Sequence, residues 1–249
     1  MIRILVINPN TSEAMTGTIL LSAKNAAGKE TIVDAVTNAV GPTSVEGVYD
    51  EIITSHGVLE ILLKEKDNYD AFIIACFSDH PVIQAGREAI AKPVIGIFEA
   101  ACMVACLIGA RFSIVTTSPR WVPLLEDAVC RIGLKDRFSE VLSSGLSVNE
   151  LEAKGTDEIK AALLSGAKAA VASGADVICL GCAGMAGLSE ELERHLHIPV
   201  VDPVAAAVKM AEGLAALNLK TGKIGAYGNV DSRKVKGMSD SILATIYEA

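Results

Sequence analysis

The 249-residue chain is poor in aromatics, with 4% Phe, Trp and Tyr and a single tryptophan, and it has no excess of positive charge. Acidic residues outnumber basic ones by 30 to 22. No Lys/Arg stripe is interleaved with aromatics, so the electrostatic footprint of a phosphate-backbone binder is missing and nucleic acid is not an expected partner. Long apolar runs are missing too. The opening run Ile2 to Ile7 stops at Asn8-Pro9-Asn10, too short for the core of an export signal, so the chain is read as starting at Met1 and residing in the cytoplasm. The stretch from Pro93 to Ala110 is broken by Glu99 and bounded by Pro93 and Arg111, which suits a strand and a buried helix rather than a membrane span. Apart from a single C-x-x-C, Cys179 to Cys182, no His/Cys group has metal-ligand spacing, and no glycine loop cradles a phosphate, so neither metal nor organic cofactor is expected.

What the chain has in quantity is apolar side chain: 51% hydrophobic against 21% charged residues, enough to offset the entropy of ordering it. Its length fits two lobes of roughly 100 to 150 residues. The six cysteines, in a chain read as lacking an export signal, are expected to remain thiols.

Short β-branched runs alternate with Ala/Leu/Lys/Glu segments, the pattern of parallel strands joined by helical crossovers, and the fold class is α/β. Strands are expected at 2–8, 31–36, 71–76, 94–97, 112–117, 138–142, 177–181 and 200–201, with helices starting at Ser12, Val45, Val82, Glu99, Arg120, Asp157, Leu188 and Val204.

An internal repeat organises these elements. Asp70-Ala-Phe-Ile-Ile-Ala-Cys76 lines up with Asp176-Val-Ile-Cys-Leu-Gly-Cys182, and the same offset of 106 places Pro93-Val94 on Pro199-Val200. Arg3-Ile-Leu-Val-Ile-Asn8 matches Arg111-Phe-Ser-Ile-Val-Thr116 at an offset of 108. Two similar lobes follow, one from residues 1–98 plus 208–249 and the other from 99–207, with the chain crossing near Phe98 and Pro203.

In open parallel sheets, ligands bind beyond the carboxyl ends of the strands, and the polar clusters sit there: Asn8 to Ser12, Cys76-Phe77-Ser78-Asp79, Thr116-Thr117-Ser118 and Gly181-Cys182-Ala183-Gly184. Taken singly, a cysteine is best read as packing. Two thiols at the same strand end of duplicated lobes instead suit a reaction in which one removes a proton from carbon and the other returns it on the opposite face. Helices beginning just after Cys76 and Cys182 are expected to lower the thiol pKa values. Backbone N–H groups at Phe77, Ser78, Ala183 and Gly184 are candidates to hold an enolate oxygen. Asn8, Asn10, Thr43, Asp79, Thr116 and Thr117 are candidate substrate contacts, with helix capping as the competing reading for Asn10 and Thr43. His80 either caps a helix or tunes Cys76. Cys179 makes a C-x-x-C with Cys182, yet the repeat puts Ile73 opposite it, which makes it core. A two-lobed binding protein without turnover would keep such a cleft but would not need both thiols.

The motifs Ile7-Asn-Pro-Asn-Thr-Ser12, Gly41-Pro-Thr-Ser-Val-Glu-Gly-Val-Tyr-Asp-Glu51, Cys76-Phe-Ser-Asp79, Pro93-Val-Ile-Gly-Ile97 and Gly181-Cys-Ala-Gly-Met185 resemble the aspartate/glutamate/hydantoin racemase superfamily, in particular its hydantoin and allantoin racemase branch, over nearly the whole chain. The resemblance implies two flavodoxin-like lobes with the active site between them and cofactor-independent proton transfer by Cys76 and Cys182. It also implies a five-membered ureide as substrate and a homo-oligomer. Asp79-His80-Pro81-Val82 stands where such proteins commonly have Asp-Pro-Gly. Both cysteines are present, unlike in the related arylmalonate decarboxylases. Racemisation of aspartate- or glutamate-like amino acids and cis-trans isomerisation of maleate remain alternatives within the superfamily.

Overall fold

The computed structural model describes residues 1–228. It has two four-stranded parallel sheets, ordered β2-β1-β3-β4 and β6-β5-β7-β8. The first is built from β1 (Ile2–Asn8), β2 (Thr31–Thr37), β3 (Ala71–Ile74) and β4 (Val94–Gly96), the second from β5 (Phe112–Thr116), β6 (Phe138–Ser143), β7 (Val177–Gly181) and β8 (Val200–Val201). The helices of the first half are α1 (Glu13–Ala26), α2 (Val48–Glu65), α3 (Pro81–Ala89) and α4 (Ile97–Ile108). Those of the second are α5 (Trp121–Arg131), α6 (Val148–Ala153), α7 (Thr156–Ala172), α8 (Ser189–Leu196) and α9 (Pro203–Ala216).

The repeat has a physical basis in these sheets. Asp70 accepts the N–H of Arg3 at 2.9 Å, and Asp176 accepts those of Ala110 and Arg111 at 2.8 and 2.9 Å. Each aspartate thus pins the start of its central strand pair. The carbonyls of Pro93 and Pro199 accept from Phe72 and Ile178 at 2.9 and 3.0 Å, setting the next strand in register. Alternation along β1 and β3 splits the side chains between faces: Ile4, Val6, Ala71 and Ile73 enter the central core, while Leu5, Ile7, Phe72 and Ile74 pack under α2 and α3.

Two helices tie the lobes together. After β4, α4 packs on β7, and after β8, α9 returns to lie on β1, β3 and α1. Helix α9 starts where Asp202 accepts the N–H groups of Val204 and Ala205, followed by Pro203, a residue suited to a first turn. The other oxygen of Asp202 binds Ser22 of α1 and the N–H of Gly187, so one cap joins three segments. The part of the first-lobe assignment covering 229–249 lies outside the described residues.

The elements differ from the sequence reading in three places. Strand β3 stops at Ile74, two residues before Cys76. A short helix, α6, was not foreseen, although Ser147 and Glu150 form the reciprocal capping box that announces it. Cys182 is followed by a single 3-10 turn, Ala183–Met185, instead of a longer helix. Among the described residues no helix is long and apolar enough to cross a membrane.

Candidate active site

The carboxyl ends of both sheets face one narrow cleft of about 30 Å³. Asn10 and Met15 come from the β1 side, Cys76 and Phe77 from the turn after β3, Thr117 from the residue just past β5, and Cys182 and Ala183 from the turn after β7. Val45, Trp121 and Val148 complete the lining. The segments carrying Val45 and Val148 are joined by Glu46, whose carboxylate accepts the Val148 N–H at 3.1 Å. The structure therefore brings the two symmetric thiols together. Cys179 lies fully buried behind them, its thiol donating to the Ala101 carbonyl at 3.6 Å.

The remaining candidates divide by what they touch. Asn8 is 1% exposed, and its amide donates to Asn10 Oδ1, Ser12 O and Thr16 Oγ1 at 2.8 to 3.1 Å. Its oxygen accepts the Asn10 N–H, so Asn8 shapes the β1 loop and stays behind the cleft wall. Asn10 does line the cleft; its NH₂ meets the sulfur of Met15 at 3.3 Å, a weak acceptor that leaves donor capacity for a ligand. Thr116 is tied to the Gly181 carbonyl, whereas Thr117 faces the cleft. Asp79 turns away to Arg131 at 2.9 Å, and Thr43 is exposed and outside the cleft lining. Ser78 sits behind Cys76, with its hydroxyl 3.4 Å from the thiol. Gly184 borders Cys182: a Cβ there would stand 3.7 Å from its sulfur.

The expected lowering of the Cys76 pKa is reversed. Among the described residues no helix N-terminus addresses this thiol, because α3 begins five residues later at Pro81, which has no N–H to offer. Burial pushes the thiol well above its ordinary range, the Glu51 carboxyl and Cys182 push the same way, and only the Ser78 hydroxyl opposes them. Cys76 is held as a thiol.

His80 resolves as a helix cap. Its Nδ1 accepts the Val82 N–H at 3.3 Å, which puts the proton on Nε2, 3.3 Å from Thr54 Oγ1. Both ring nitrogens are thereby directed away from Cys76. Burial lowers its pKa from 6.5 to about 4. Between those values the unfolded chain binds more protons than the folded one, so His80 costs stability as pH falls through that window, about 3 kcal/mol in all. Asn in its place keeps a cap and gains no charge. His80→Asn is expected to lose less stability than the parent between about pH 7 and pH 4.5 in urea unfolding; parallel losses would contradict a neutral, buried His80.

Sequence reasoning missed Glu51, Met15, Val45, Trp121 and Val148. For Glu51 a signal existed: Glu51, Thr54, Val58 and Leu62 form the buried stripe of α2, and a carboxylate on such a stripe is out of place.

The family model for Asp/Glu/Hydantoin racemase matches residues 4–211. The chain belongs to the Asp/Glu/hydantoin racemase family. It is accordingly an enzyme of isomerase type. A hydantoin racemase from Pseudomonas sp. (strain NS671) is 40% identical to it over 94% of both chains. The solved allantoin racemase from Klebsiella pneumoniae superposes with a TM-score of 0.92 at 38% identity, covering 97% of this chain and 99% of that one. A maleate isomerase from Pseudomonas putida S16 shares the fold alone, with a TM-score of 0.65 and 17% identity over 88% of this chain and 93% of its own.

Proposed function

We propose that the protein is a cofactor-independent racemase of 5-substituted hydantoins or of allantoin, working by two-base proton transfer between Cys76 and Cys182. The observation that carries this reading is the pair of thiols at equivalent strand ends of two lobes, lining one cleft. The names of the similar hydantoin and allantoin racemases support the substrate class.

The chemistry balances on the substrate alone. One sulfur takes the proton from C5, the C5–H electron pair moves into an enolate with the adjacent carbonyl, and the other sulfur delivers its proton to the opposite face. With Cys76 held as a thiol, Cys182 is the base for one enantiomer; Cys76 must first give up its proton to serve the other. The N–H groups of Phe77, Ser78, Ala183 and Gly184 flank the cysteines and are assigned to the enolate oxygen. Asn10 and Thr117 are assigned to the ureide amides, with Asn8 holding Asn10 in place.

The same proposal includes the lobe boundaries at 98/99 and 207/208 and assembly into a homo-oligomer, for which the exposed Leu107, Ile108 and Leu217 are apolar surface to bury. Optical rotation of enantiopure allantoin and of an enantiopure 5-substituted hydantoin should decay to zero with enzyme. A flat signal for both, with turnover of aspartate, glutamate or maleate, would replace the substrate class; no turnover of any of them would favour a binding protein.

A further inference from the structure

Cys76 belongs to a buried chain of three groups. The Ser78 hydroxyl is 3.4 Å from its sulfur and adjoins the Glu51 carboxyl, whose pKa it lowers. Ser78 is 4% exposed and Glu51 5%, and Glu51 Oε1 has no partner among the described residues. A serine hydroxyl has one hydrogen to donate, so it can serve one anion at a time. Two arrangements satisfy the chain. In one, the Glu51 carboxylate accepts from Ser78, and the Cys76 S–H points at the Ser78 oxygen. In the other, the Cys76 thiolate accepts from Ser78, and a protonated Glu51 donates to the Ser78 oxygen. Each places a single negative charge in the wall, whereas two would leave one buried anion without that hydrogen and beside a like charge.

Building on the two-thiol reading, we propose that Glu51 is the proton store of Cys76, exchanging one proton with it through the Ser78 hydroxyl. The S–H proton passes to Ser78 Oγ as Ser78's own hydrogen passes to the Glu51 carboxylate; the thiol becomes thiolate, the carboxylate becomes acid, and no net charge is created. This supplies the base that the second enantiomer requires from a cysteine otherwise held as thiol. Glu51 does not touch substrate and is a positioning residue for that proton.

The surroundings agree with the role. Burial, Asp79 and Asp50 raise the Glu51 pKa above the ordinary carboxyl value, opposed by Ser78 and by Arg131, which is itself paired with Asp79. A glutamate so placed can hold a proton. The second lobe lacks the device: at the repeat offset Ser78 corresponds to Gly184, and Glu51 to Asp157, whose side chain is fully exposed. The relay serves one cysteine only.

That asymmetry makes it testable. Exchange of the C5 proton in deuterated water is measured with Glu51→Gln placed in a Cys182→Ser background, where Cys76 is the surviving thiol, and in a Cys76→Ser background. The loss in the first should exceed that in the second by about 10²-fold. Equal losses would mark a structural role and overturn the proposal. If neither cysteine background exchanges, the two-thiol reading fails, and a second measurement still decides Glu51. Iodoacetamide labelling of Cys76, read by mass spectrometry, should be nearly independent of pH between the two macroscopic titrations of the Cys76/Glu51 pair, because the fraction of thiolate is fixed there by proton sharing. In Glu51→Gln it should climb about tenfold per pH unit below the thiol pKa. The same climb in the parent protein would refute the store.

Discussion

Cys76→Ser and Cys182→Ser should each lower racemisation by about 10³-fold or more. Ser is close to Cys in size, so the cleft wall formed with Phe77, Thr117 and Ala183 stays in place and the change falls on the proton-transfer groups alone. A serine hydroxyl is too weak an acid to be ionised at neutral pH, so neither variant retains two competent bases. The loss should be similar from either side, because each turnover passes one proton from one sulfur and another to its opposite. Rates of optical-rotation decay, with urea unfolding to verify the fold, check this. A variant that racemises at the parent rate would remove its cysteine from the mechanism.

The second large effect comes from a residue with no side chain. A Cβ on Gly181 would stand 2.7 Å from Thr116 Cα and 2.8 Å from the Val115 carbonyl, both backbone atoms of the neighbouring strand β5. Neither can swing aside as a side-chain tip could. Gly181→Ala is therefore expected to force β5 and β7 apart at their carboxyl ends, at a cost of about 3 kcal/mol. It also displaces Cys182, the next residue, and an ångström of misplacement at a reacting group costs about 10²-fold in rate. Both losses should be seen together in urea unfolding and initial rates. A Gly181→Ala protein as stable and active as the parent would mean that the strand ends are looser than this contact implies. Gly184→Ala is the contrasting case, since its Cβ meets the ends of Leu151 and Met15 at 3.2 and 3.3 Å, which can shift.

Much of this was legible in the sequence because it is repeated there. Asp70 and Asp176, Pro93 and Pro199, and Cys76 and Cys182 are spaced alike because each set performs one backbone task in each lobe, and a duplicated task leaves a duplicated pattern. The two sheets, their parallel order and the shared cleft follow from it. What was hidden depends on contacts between distant segments. Asn8 reads as a ligand contact, yet its amide is consumed by Asn10, Ser12 and Thr16, which only a folded β1 loop brings within reach. Asp79 reads the same way until Arg131, 52 residues on, claims it. The helix-dipole argument for Cys76 failed on one local fact, that four residues intervene before α3 and α3 opens with a proline. Glu51 lies 25 residues before Cys76 in the chain, and only folding sets its carboxyl beside Ser78 and the thiol.

The central claim, that two thiols face opposite sides of one carbon, is tested most directly by the handedness of proton exchange. Each single Cys→Ser variant is incubated in deuterated water with each enantiomer of the substrate, and deuterium at C5 is followed by NMR. A Cys76→Ser/Cys182→Ser double variant is subtracted to remove spontaneous exchange. Cys76→Ser should exchange one enantiomer and Cys182→Ser the other. If both variants exchange the same enantiomer, the two sulfurs do not stand on opposite faces, and the two-base account is wrong.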